Sequence, residues 1–408
     1  VLGNTYYFRV IAFTEGASLQ STNTLNATTS CLLNGSYTVG PGANYASLTH
    51  AIDSIRYKGV AGNVQFELTG SYTSSSELFP ISFPKTLQVP CISNYRVTIR
   101  PQAAAVNLQI AGSNFTQLFL LDSASYVVFD GRPGGTGTSS QLSVINNSFG
   151  SVFRLNNASG NKFEYLKIGG SNTGPSVPEG LVHLVGSQGA GSDNNRFGNC
   201  EIYSTSAIPN SKNIMLSSVG AAGFVNDNDS IINCRFYDFA ASGIQLSDYS
   251  NGWVISGNSF YNTATVNYVS DVAFIKISSL NAIAASHQVT NNYFGGTAAN
   301  CQGNAMSAGY FSTFSFIDIT GKAVVSNNYF RRVRLYNGSN SINNSVVNFI
   351  LARLVPAQVT YVIDNNYFGS SSLSDSLHVS SNSSSVDMEV NGISMIGLGQ
   401  VSNNRFSH

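Results

Sequence analysis

The tetrapeptide Asn-Asn-Tyr-Phe occurs three times in this 408-residue sequence, starting at Asn291, Asn327 and Asn365. Related tetrapeptides raise the number of copies to eight, and these start at residues 146, 194, 233, 257 and 403. From Phe163 onward, the phenylalanines of successive copies lie 24 to 39 residues apart. Self-similarity at such an interval is typical of a solenoid, in which each repeat forms one coil.

The segments between the Asn pairs have the composition of short β-strands. Residues 314–319 and 323–325 are rich in aromatic and β-branched side chains and are bounded by Gly, Asn, Ser and Asp. Similar runs occur at 273–277 and 347–350, and no helical periodicity of useful length follows residue 60. These features are typical of strands separated by turns. We therefore predict an all-β fold, a right-handed parallel β-helix of about ten to twelve coils.

The repeated tetrapeptide has a physical explanation in such a fold. Asn tolerates the left-handed conformation of a tight bend, and stacked Asn amides can hydrogen-bond from coil to coil. A Phe two positions later would point inward and stack on its counterpart. The predicted ladder comprises Asn292, Asn328, Asn366 and Asn404, with Phe294, Phe330, Phe368 and Phe406 buried beneath them. The insertions that follow, 295–310, 331–345 and 369–385, are expected to project as loops from one face.

Residues 31–95 are predicted to form the entry to the β-helix and its cap, and residues 96–408 its coils. Leu48, Ala51, Ile52 and Ile55 lie at helical spacing. A short amphipathic helix at this point would cover the open end of the stack, as solenoids require. Residues 62–68 are expected to be the first coil strand.

Residues 1–30 differ from the repeats and are predicted to form an N-terminal β-hairpin. Tyr6, Phe8, Val10 and Ala12 alternate with other residues and would share one face. The segment resembles the last two strands of a fibronectin type III domain, whose sandwich needs about seven strands. We predict that these four side chains contact a neighbouring copy of the chain, head to tail, and so build a filament. The alternative is that the rest of such a domain precedes residue 1.

A wider resemblance rests on residues 37–68, on Val127-Val128-Phe129-Asp130-Gly131-Arg132 and on residues 134–137. These segments resemble the β-helix regions of large secreted Bacteroidota surface proteins, which belong to the pectin-lyase-like class. The resemblance implies a β-helix at the cell surface. It also implies two alternatives, a carbohydrate-binding adhesin or a polysaccharide lyase or hydrolase.

Catalytic residues are not evident in the sequence. Glycoside hydrolysis needs paired carboxylates, but the acidic residues are scattered singly and the five histidines share no spacing with Ser or Asp. We therefore predict no enzymatic activity. Asp227 and Asp229 form the densest acidic segment, which is either a calcium site or a polar turn. An enzyme would show acids clustered in one groove, whereas an adhesin would show a stripe of exposed Tyr and Trp.

Charge and hydropathy narrow the range of partners. Twenty basic residues balance twenty acidic ones, and charged residues make up only 10% of the chain. This composition argues against a nucleic-acid partner, and no apolar run is long enough to insert into a membrane. The five cysteines lack CxxC spacing, so a zinc site is not expected. Cys200 and Cys234 lie near neighbouring repeat phenylalanines and are either bonded to each other or free.

Asp-Ser followed by a small or aliphatic residue occurs four times, a pattern that matches the O-glycosylation sequon of Bacteroidota. The candidate sites are Ser123, Ser230, Ser376 and Ser54. The sequence as a whole predicts a glycosylated extracellular structural protein, a filament or surface-layer subunit. Its expected partners are copies of itself and glycans.

Overall fold

The computed structural model describes most of the chain from Cys31 onward and the backbone of four strands before it. Side chains are not described in 1–30 or at Asn337. The residues outside the description are 1–4, 9–10, 15–16, 21–24, 29–30, 90, 92–94, 172–178, 188–189, 206–213, 269–270, 280–284, 310, 338–344, 354–359, 373–374, 382–386 and 408.

The described chain is a right-handed parallel β-helix, which confirms the predicted fold class. Each coil runs through three long parallel sheets, which we call sheets 1, 2 and 3, in that order. The twelve strands of sheet 1 are Leu33–Val39, Val60–Leu68, Val97–Pro101, Val127–Asp130, Lys162–Glu164, Arg196–Gly198, Ser230–Ile232, Val254–Ser256, His287–Thr290, Ala323–Ser326, Thr360–Asp364 and Leu398–Ser402. The ten strands of sheet 2 are Leu108–Gly112, Leu142–Asn146, Leu166–Gly170, Glu201–Ser204, Arg235–Tyr237, Ser259–Tyr261, Tyr293–Phe294, Tyr329–Phe330, Tyr367–Phe368 and Arg405–Phe406. The ten strands of sheet 3 are Ile81–Phe83, Gln117–Asp122, Ser151–Asn156, Val182–Val185, Ile214–Val219, Ser242–Leu246, Val272–Ser278, Thr313–Thr320, Ser345–Arg353 and Met388–Met395.

The entry to the β-helix contains the predicted helix, Leu48–Lys58. Its apolar stripe is buried, and both carboxylate oxygens of Glu77 accept backbone N–H groups of its first turn, from Leu48 and Thr49, at 2.7 Å. A carboxylate at this end is favoured by the helix dipole. Sheet 1 begins one strand earlier than predicted, because Leu33–Val39 already pairs in parallel with Val60–Leu68.

The cysteines are partly bonded and partly free, and the first thirty residues contain short antiparallel strands. A disulfide joins Cys31 to Cys91, a pairing that the sequence did not indicate. Cys200, Cys234 and Cys301 are free and buried. The four short strands before residue 31 form two antiparallel pairs, Thr5–Phe8 with Leu25–Thr28 and Ile11–Thr14 with Ala17–Gln20. Among the described residues, no helix is both long enough and apolar enough to span a membrane.

Registers between coils correct the repeat counted in the sequence. Phe163 and Phe197 lie in sheet 1, where the next coil presents Ile231. Phe236 instead lies in sheet 2, in register with Ile202. Phe149 follows a sheet 2 strand and is 48% exposed. The tetrapeptides therefore mark three different corners. Six copies lie between sheets 1 and 2, the copy at Asn194 lies between sheets 3 and 1, and the copy at Asn146 lies between sheets 2 and 3.

The insertions also differ from the prediction, because they are not simply loops. They contribute strands to a fourth parallel sheet, sheet 4, placed between sheets 2 and 3 along the chain. Its strands are Val266–Asn267, Met306–Gly309, Val333–Asn337 and Leu377–Ser381. Stacked insertions can pair their backbones with one another, so each insertion extends the coil as ordered β-structure.

Candidate functional site

The corner between sheets 1 and 2, which we call corner 1–2, carries a ladder of buried amides. Its left-handed residues include Asn291, Asn327 and Asn365, and the next residue in each coil points inward. Asn328 shows the repeated geometry. Its Oδ1 accepts from the backbone N and Nδ2 of Asn292, both at 3.0 Å, and its Nδ2 donates to the carbonyl of Val289 at 2.9 Å. The same pattern continues through Asn258, Asn292, Asn366 and Asn404.

The phenylalanines of this corner form a stacked column. Ring centroids of Phe330 lie 4.9 Å from Phe294 and 4.8 Å from Phe368, with nearly parallel planes. These three rings are buried, but Phe406, which was expected to be buried, is 61% exposed. It lies in the last described coil, so no further described strand covers it. The ladder and the column use their polar and apolar groups within the fold, which makes them structural.

The corner between sheets 3 and 1, corner 3–1, contains the two carboxylates predicted to bind calcium. Asp229 occupies the position of Asn161 and Asn195 in the previous coils and is fully buried. Its Oδ1 accepts from the backbone N of Asn195 at 2.6 Å, and its Oδ2 has no partner among the residues that the structure describes. Burial raises the pKa of Asp229 well above its ordinary value, and the charges of Asp193 and Asp227 raise it further.

Calcium binding at Asp227 and Asp229 stays a prediction. Calcium needs six to eight oxygen ligands, whereas Asp229 sits inside a hydrogen-bonded ladder. No group of three or more His, Cys, Asp or Glu in the described part of the chain is placed to hold a metal ion. The ladder geometry therefore gives Asp229 a structural role.

The predicted glycosylation sites differ in accessibility. Ser54 is buried in the helix, where its hydroxyl donates to the carbonyl of Ala51 at 2.7 Å, so the folded chain does not present it to an enzyme. Ser230 is half-buried and follows the fully buried Asp229 of its own sequon. Ser123 and Ser376 are half-buried in turns. Glycosylation of these sites stays a prediction.

The predicted subunit-contact residues lie in the first thirty residues. Tyr6, Phe8 and Ala12 belong to described strands, but their side chains are outside the description, and Val10 is outside it entirely. Filament formation through these residues stays a prediction.

The tyrosine stripe expected of an adhesin is present in a different form. Tyr293, Tyr329 and Tyr367 occupy one column on the outer face of sheet 2, with centroid distances of 5.1 and 4.9 Å and nearly parallel planes. Each ring thus covers the face of its neighbour and turns an edge to solvent. Trp253 is fully buried. These aromatic groups stabilise the solenoid and do not offer a stacking platform.

The outer face of sheet 3 carries a different column, which sequence reasoning missed. Register partners in six successive coils place six polar side chains in line; we call them the sheet 3 column. They are Arg154, His183, Ser217, Gln245, Lys276 and Asp318. Neighbouring parallel strands are about 4.8 Å apart, so the column has one polar side chain per coil over roughly 25 Å.

The middle of the column contains a tightly bonded pair. His183 Nδ1 lies 2.6 Å from Ser217 Oγ, and Ser217 Oγ also accepts the backbone N–H of Gly180 at 2.8 Å. Both side chains are buried. Burial, together with the charge of Arg154, lowers the pKa of His183 to about 3, so the imidazole is neutral at physiological pH. Ser217 Oγ is therefore engaged both by the imidazole and by the N–H of Gly180, and the imidazole tautomer sets which of Nδ1 and Oγ donates.

The C-terminal part of the column opens to solvent. Lys276 is exposed and lines a cavity of about 110 Å³ together with Gln245, Asp271 and Asp318. The guanidinium of Arg353 binds both oxygens of Asp318, at 2.9 and 3.0 Å. Asp271 Oδ1 accepts from the backbone N of Thr313 at 3.1 Å. The exposed cation and amide can donate hydrogen bonds to an anionic or hydroxylated ligand, while Asp318 is already occupied.

The fold and the sheet 3 column together define a parallel β-helix protein with a polar outer groove. No protein-family model and no curated protein matches the sequence. Similar solved structures include an alginate lyase from Paenibacillus sp. str. FPU-7, at 12% identity and a TM-score of 0.41, over 92% of this chain and 99% of that one.

Two further solved structures are similar in the same way. They are PfbA, a surface adhesin of Streptococcus pneumoniae (12% identity, TM-score 0.34, 85% of this chain and 88% of that one), and a Family 28 exopolygalacturonase from Yersinia enterocolitica (10% identity, TM-score 0.36, 99% and 84%). At such low identity the similarity concerns the fold and carries no activity over to this chain. The fibronectin type III and Bacteroidota parts of the resemblance stay predictions.

Proposed function

We propose that this chain is an extracellular surface protein that binds a glycan chain along the outer face of sheet 3. The observation that carries the proposal is the open part of the sheet 3 column, where Gln245 and Lys276 lie in register on neighbouring strands and reach solvent. A linear polysaccharide presents hydroxyl groups at a regular interval, and one sugar unit in an extended chain is similar in length to the strand spacing. Side chains that donate and accept hydrogen bonds at that interval suit such a ligand.

Binding is better supported than cleavage, because the groups that would act as catalysts are occupied. The neutral His183 is hydrogen-bonded to Ser217, whose oxygen also accepts the N–H of Gly180. Both oxygens of Asp318 are bound by Arg353. A nucleophile or general base must be free to reach the reacting atoms. We therefore propose a binding role without turnover.

Glycan binding also has stronger support than the filament predicted from the sequence. The filament depends on Tyr6, Phe8, Val10 and Ala12, whose side chains are not described. The groove depends on Gln245 and Lys276, which are on a described strand face and reach solvent. Self-assembly and glycan binding are compatible, since they would use different parts of the chain.

The test measures binding and cleavage with one panel of polysaccharides. The wild-type protein is titrated with uronate-containing and neutral polysaccharides, and the same mixtures are assayed for new reducing ends and unsaturated products. We expect binding without cleavage, and an affinity about tenfold weaker in Lys276→Ala, since charge-assisted hydrogen bonds are the stronger ones. Lys322→Ala is the matched control, because Lys322 lies on corner 3–1, outside the column.

Two results would contradict the proposal. One is the absence of binding to every polysaccharide in the panel. The other is equal affinity in wild type, Lys276→Ala and Gln245→Ala, which would place any binding elsewhere. Release of products by the wild-type protein would instead favour the lyase or hydrolase alternative.

A further inference from the structure

The outer face of sheet 2 contains a second polar hollow. It shares no lining residue with the open part of the sheet 3 column. It has a volume of about 480 Å³. Its floor is Lys167, Glu201 and Arg235, which are register partners in three successive coils. One wall consists of the corner residues Tyr165, Asn199 and Asn233, and the other of hydroxyl groups from residues 138–140.

The corner residues of this wall behave differently from their counterparts further along the chain. Asn199, Asn233, Asn327 and Asn365 all have a left-handed backbone at the same corner. Asn365 Nδ2 donates to Asn327 Oδ1, and Asn365 Oδ1 accepts from Tyr367 Oη at 3.0 Å. The side-chain amides of Asn199 and Asn233 have no hydrogen-bond partner in the described part of the chain.

Gly257 explains why the amide of Asn233 is unpaired. It takes the left-handed position of the next coil, with φ 70°, and therefore offers no side chain above Asn233. A Cβ at Gly257 would collide with Asn233 Oδ1. Because no side chain lies above it, the amide of Asn233 is left to bond with solvent or a ligand.

Two further groups at the hollow lack protein partners. Ser140 Oγ is buried and makes no hydrogen bond to any described residue, although it lines the hollow. Lys167 has no ion-pair partner within the described residues, whereas Arg235 and Glu201 are paired with each other at 3.2 Å. Since buried polar groups are normally satisfied, the unpaired hydroxyl of Ser140 points to a place for another molecule. The solvent-accessible donors of Lys167, Asn199 and Asn233 lie around it. The hollow carries one positive charge in excess.

The Asp130-Gly131-Arg132 segment, which leads into the loop of residues 138–140, packs against Tyr165 of the first wall. Asp130 binds the guanidinium of Arg132 at 2.7 Å, and this guanidinium covers one face of the Tyr165 ring at 4.6 Å. Gly131 is required because a Cβ there would overlap the carbonyl of Tyr165. The loop thus packs against the corner without closing the hollow.

We propose that this hollow is a binding site for an acidic oligosaccharide of about three sugar units, one per coil. Lys167 binds the carboxylate or sulfate of the ligand, and the amides of Asn199 and Asn233 hydrogen-bond to its hydroxyl groups. Excess positive charge and free donors favour an anionic over a neutral sugar. The site is independent of the proposed binding to sheet 3, because the two share no residue.

The test titrates the full chain with three trisaccharides of equal length by calorimetry. These are trigalacturonate, a sulfated galactan trisaccharide and neutral galactotriose. We expect at least one anionic trisaccharide to bind more tightly than galactotriose, and the better of the two identifies the acidic group. Lys167→Ala should weaken that binding by about tenfold, and Asn233→Gly by about threefold to tenfold.

The variants are chosen so that loss of folding cannot imitate loss of binding. Asn233→Gly keeps the left-handed bend, because Gly already serves at the same position in the next coil. Asn291→Gly and Lys162→Ala are the matched controls, at the same corner and on sheet 1 outside the hollow. Lys276→Ala should leave the binding of the trisaccharide unchanged. If neither anionic trisaccharide binds better than galactotriose, or if Lys167→Ala and Asn233→Gly bind as the wild type does, the proposal is wrong.

Discussion

Corner 1–2 and corner 3–1 both pass the chain through a left-handed residue followed by a buried side chain, but they satisfy that side chain differently. From Asn258 to Asn404, corner 1–2 repeats one amide that donates to the previous coil and accepts from it. Corner 3–1 instead runs Asn161, Asn195, Asp229, Trp253 and His287. A uniform amide ladder contains no titratable group, whereas the mixed ladder contains two.

The two titratable groups of corner 3–1, Asp229 and His287, change the stability of the fold in opposite directions as the pH rises. Burial raises the pKa of Asp229, so the folded state retains a proton that the unfolded chain releases, and stability falls as pH rises above the ordinary carboxyl range. Burial lowers the pKa of His287 to about 4 from 6.5. The unfolded chain then binds the extra proton, and stability falls as pH drops from about 6.5 to about 4. A repeated amide is thus insensitive to pH, and a varied ladder is not.

The largest expected effect concerns the column beneath corner 1–2. Phe330→Ala should lower the free energy of unfolding by about 3–5 kcal/mol, because it leaves a cavity between two stacked rings. Chemical denaturation measures the difference. Phe149→Ala is the control, since Phe149 belongs to a related tetrapeptide but is half exposed; an equal loss in both variants would contradict the assignment of register.

The next largest effect is expected when an Asp, as found at corner 3–1, replaces an Asn of corner 1–2. Asn328→Asp removes the donors to Val289 and Asn366. It should cost about 2–3 kcal/mol at neutral pH because buried acceptors then face one another. A protonated carboxyl restores one donor, so the loss should shrink as pH is lowered toward 4. Unfolding curves at several pH values check this; a loss independent of pH would show that the carboxyl reaches solvent.

The converse exchange should stabilise the protein. Asp229→Asn supplies a donor without the need for a proton. It should raise the free energy of unfolding by about 1–2 kcal/mol at pH 8 and change it little at pH 4. The fall in stability with rising pH should become shallower. Asp227→Asn is the control, since Asp227 is only half-buried; the same gain from Asp227→Asn would assign the pH dependence to general acidic repulsion.

The smallest effect is expected on the outer face of sheet 2. Tyr329 stacks between Tyr293 and Tyr367 and is partly exposed. In Tyr329→Ala, loss of stacking should lower the free energy of unfolding by only about 0.5–1.5 kcal/mol, in addition to the contribution of the area that the ring buries. The total loss should be clearly smaller than that of Phe330→Ala. A loss as large as that of Phe330→Ala would mean that the outer stack contributes as much as the core column.

The sequence by itself determined the β-helix and its capping helix. Asn-Asn-Tyr-Phe recurs in three successive coils because each of them must bend through a left-handed residue and then bury an aromatic ring, which is a local requirement. The helix at Leu48–Lys58 was evident for the same reason, since its apolar stripe lies within one short segment.

Only the tertiary structure decided which residues meet from one coil to the next. Insertions of unequal length separate the coils, so the register of Lys276 with Gln245 and Asp318 cannot be read from spacing along the chain. The same holds for the pair of Cys31 and Cys91. It also holds for the hollow at Lys167, where a glycine one coil away leaves an amide unpaired. Stacking brings distant residues within about 4.8 Å, and nothing in the local sequence encodes those distances.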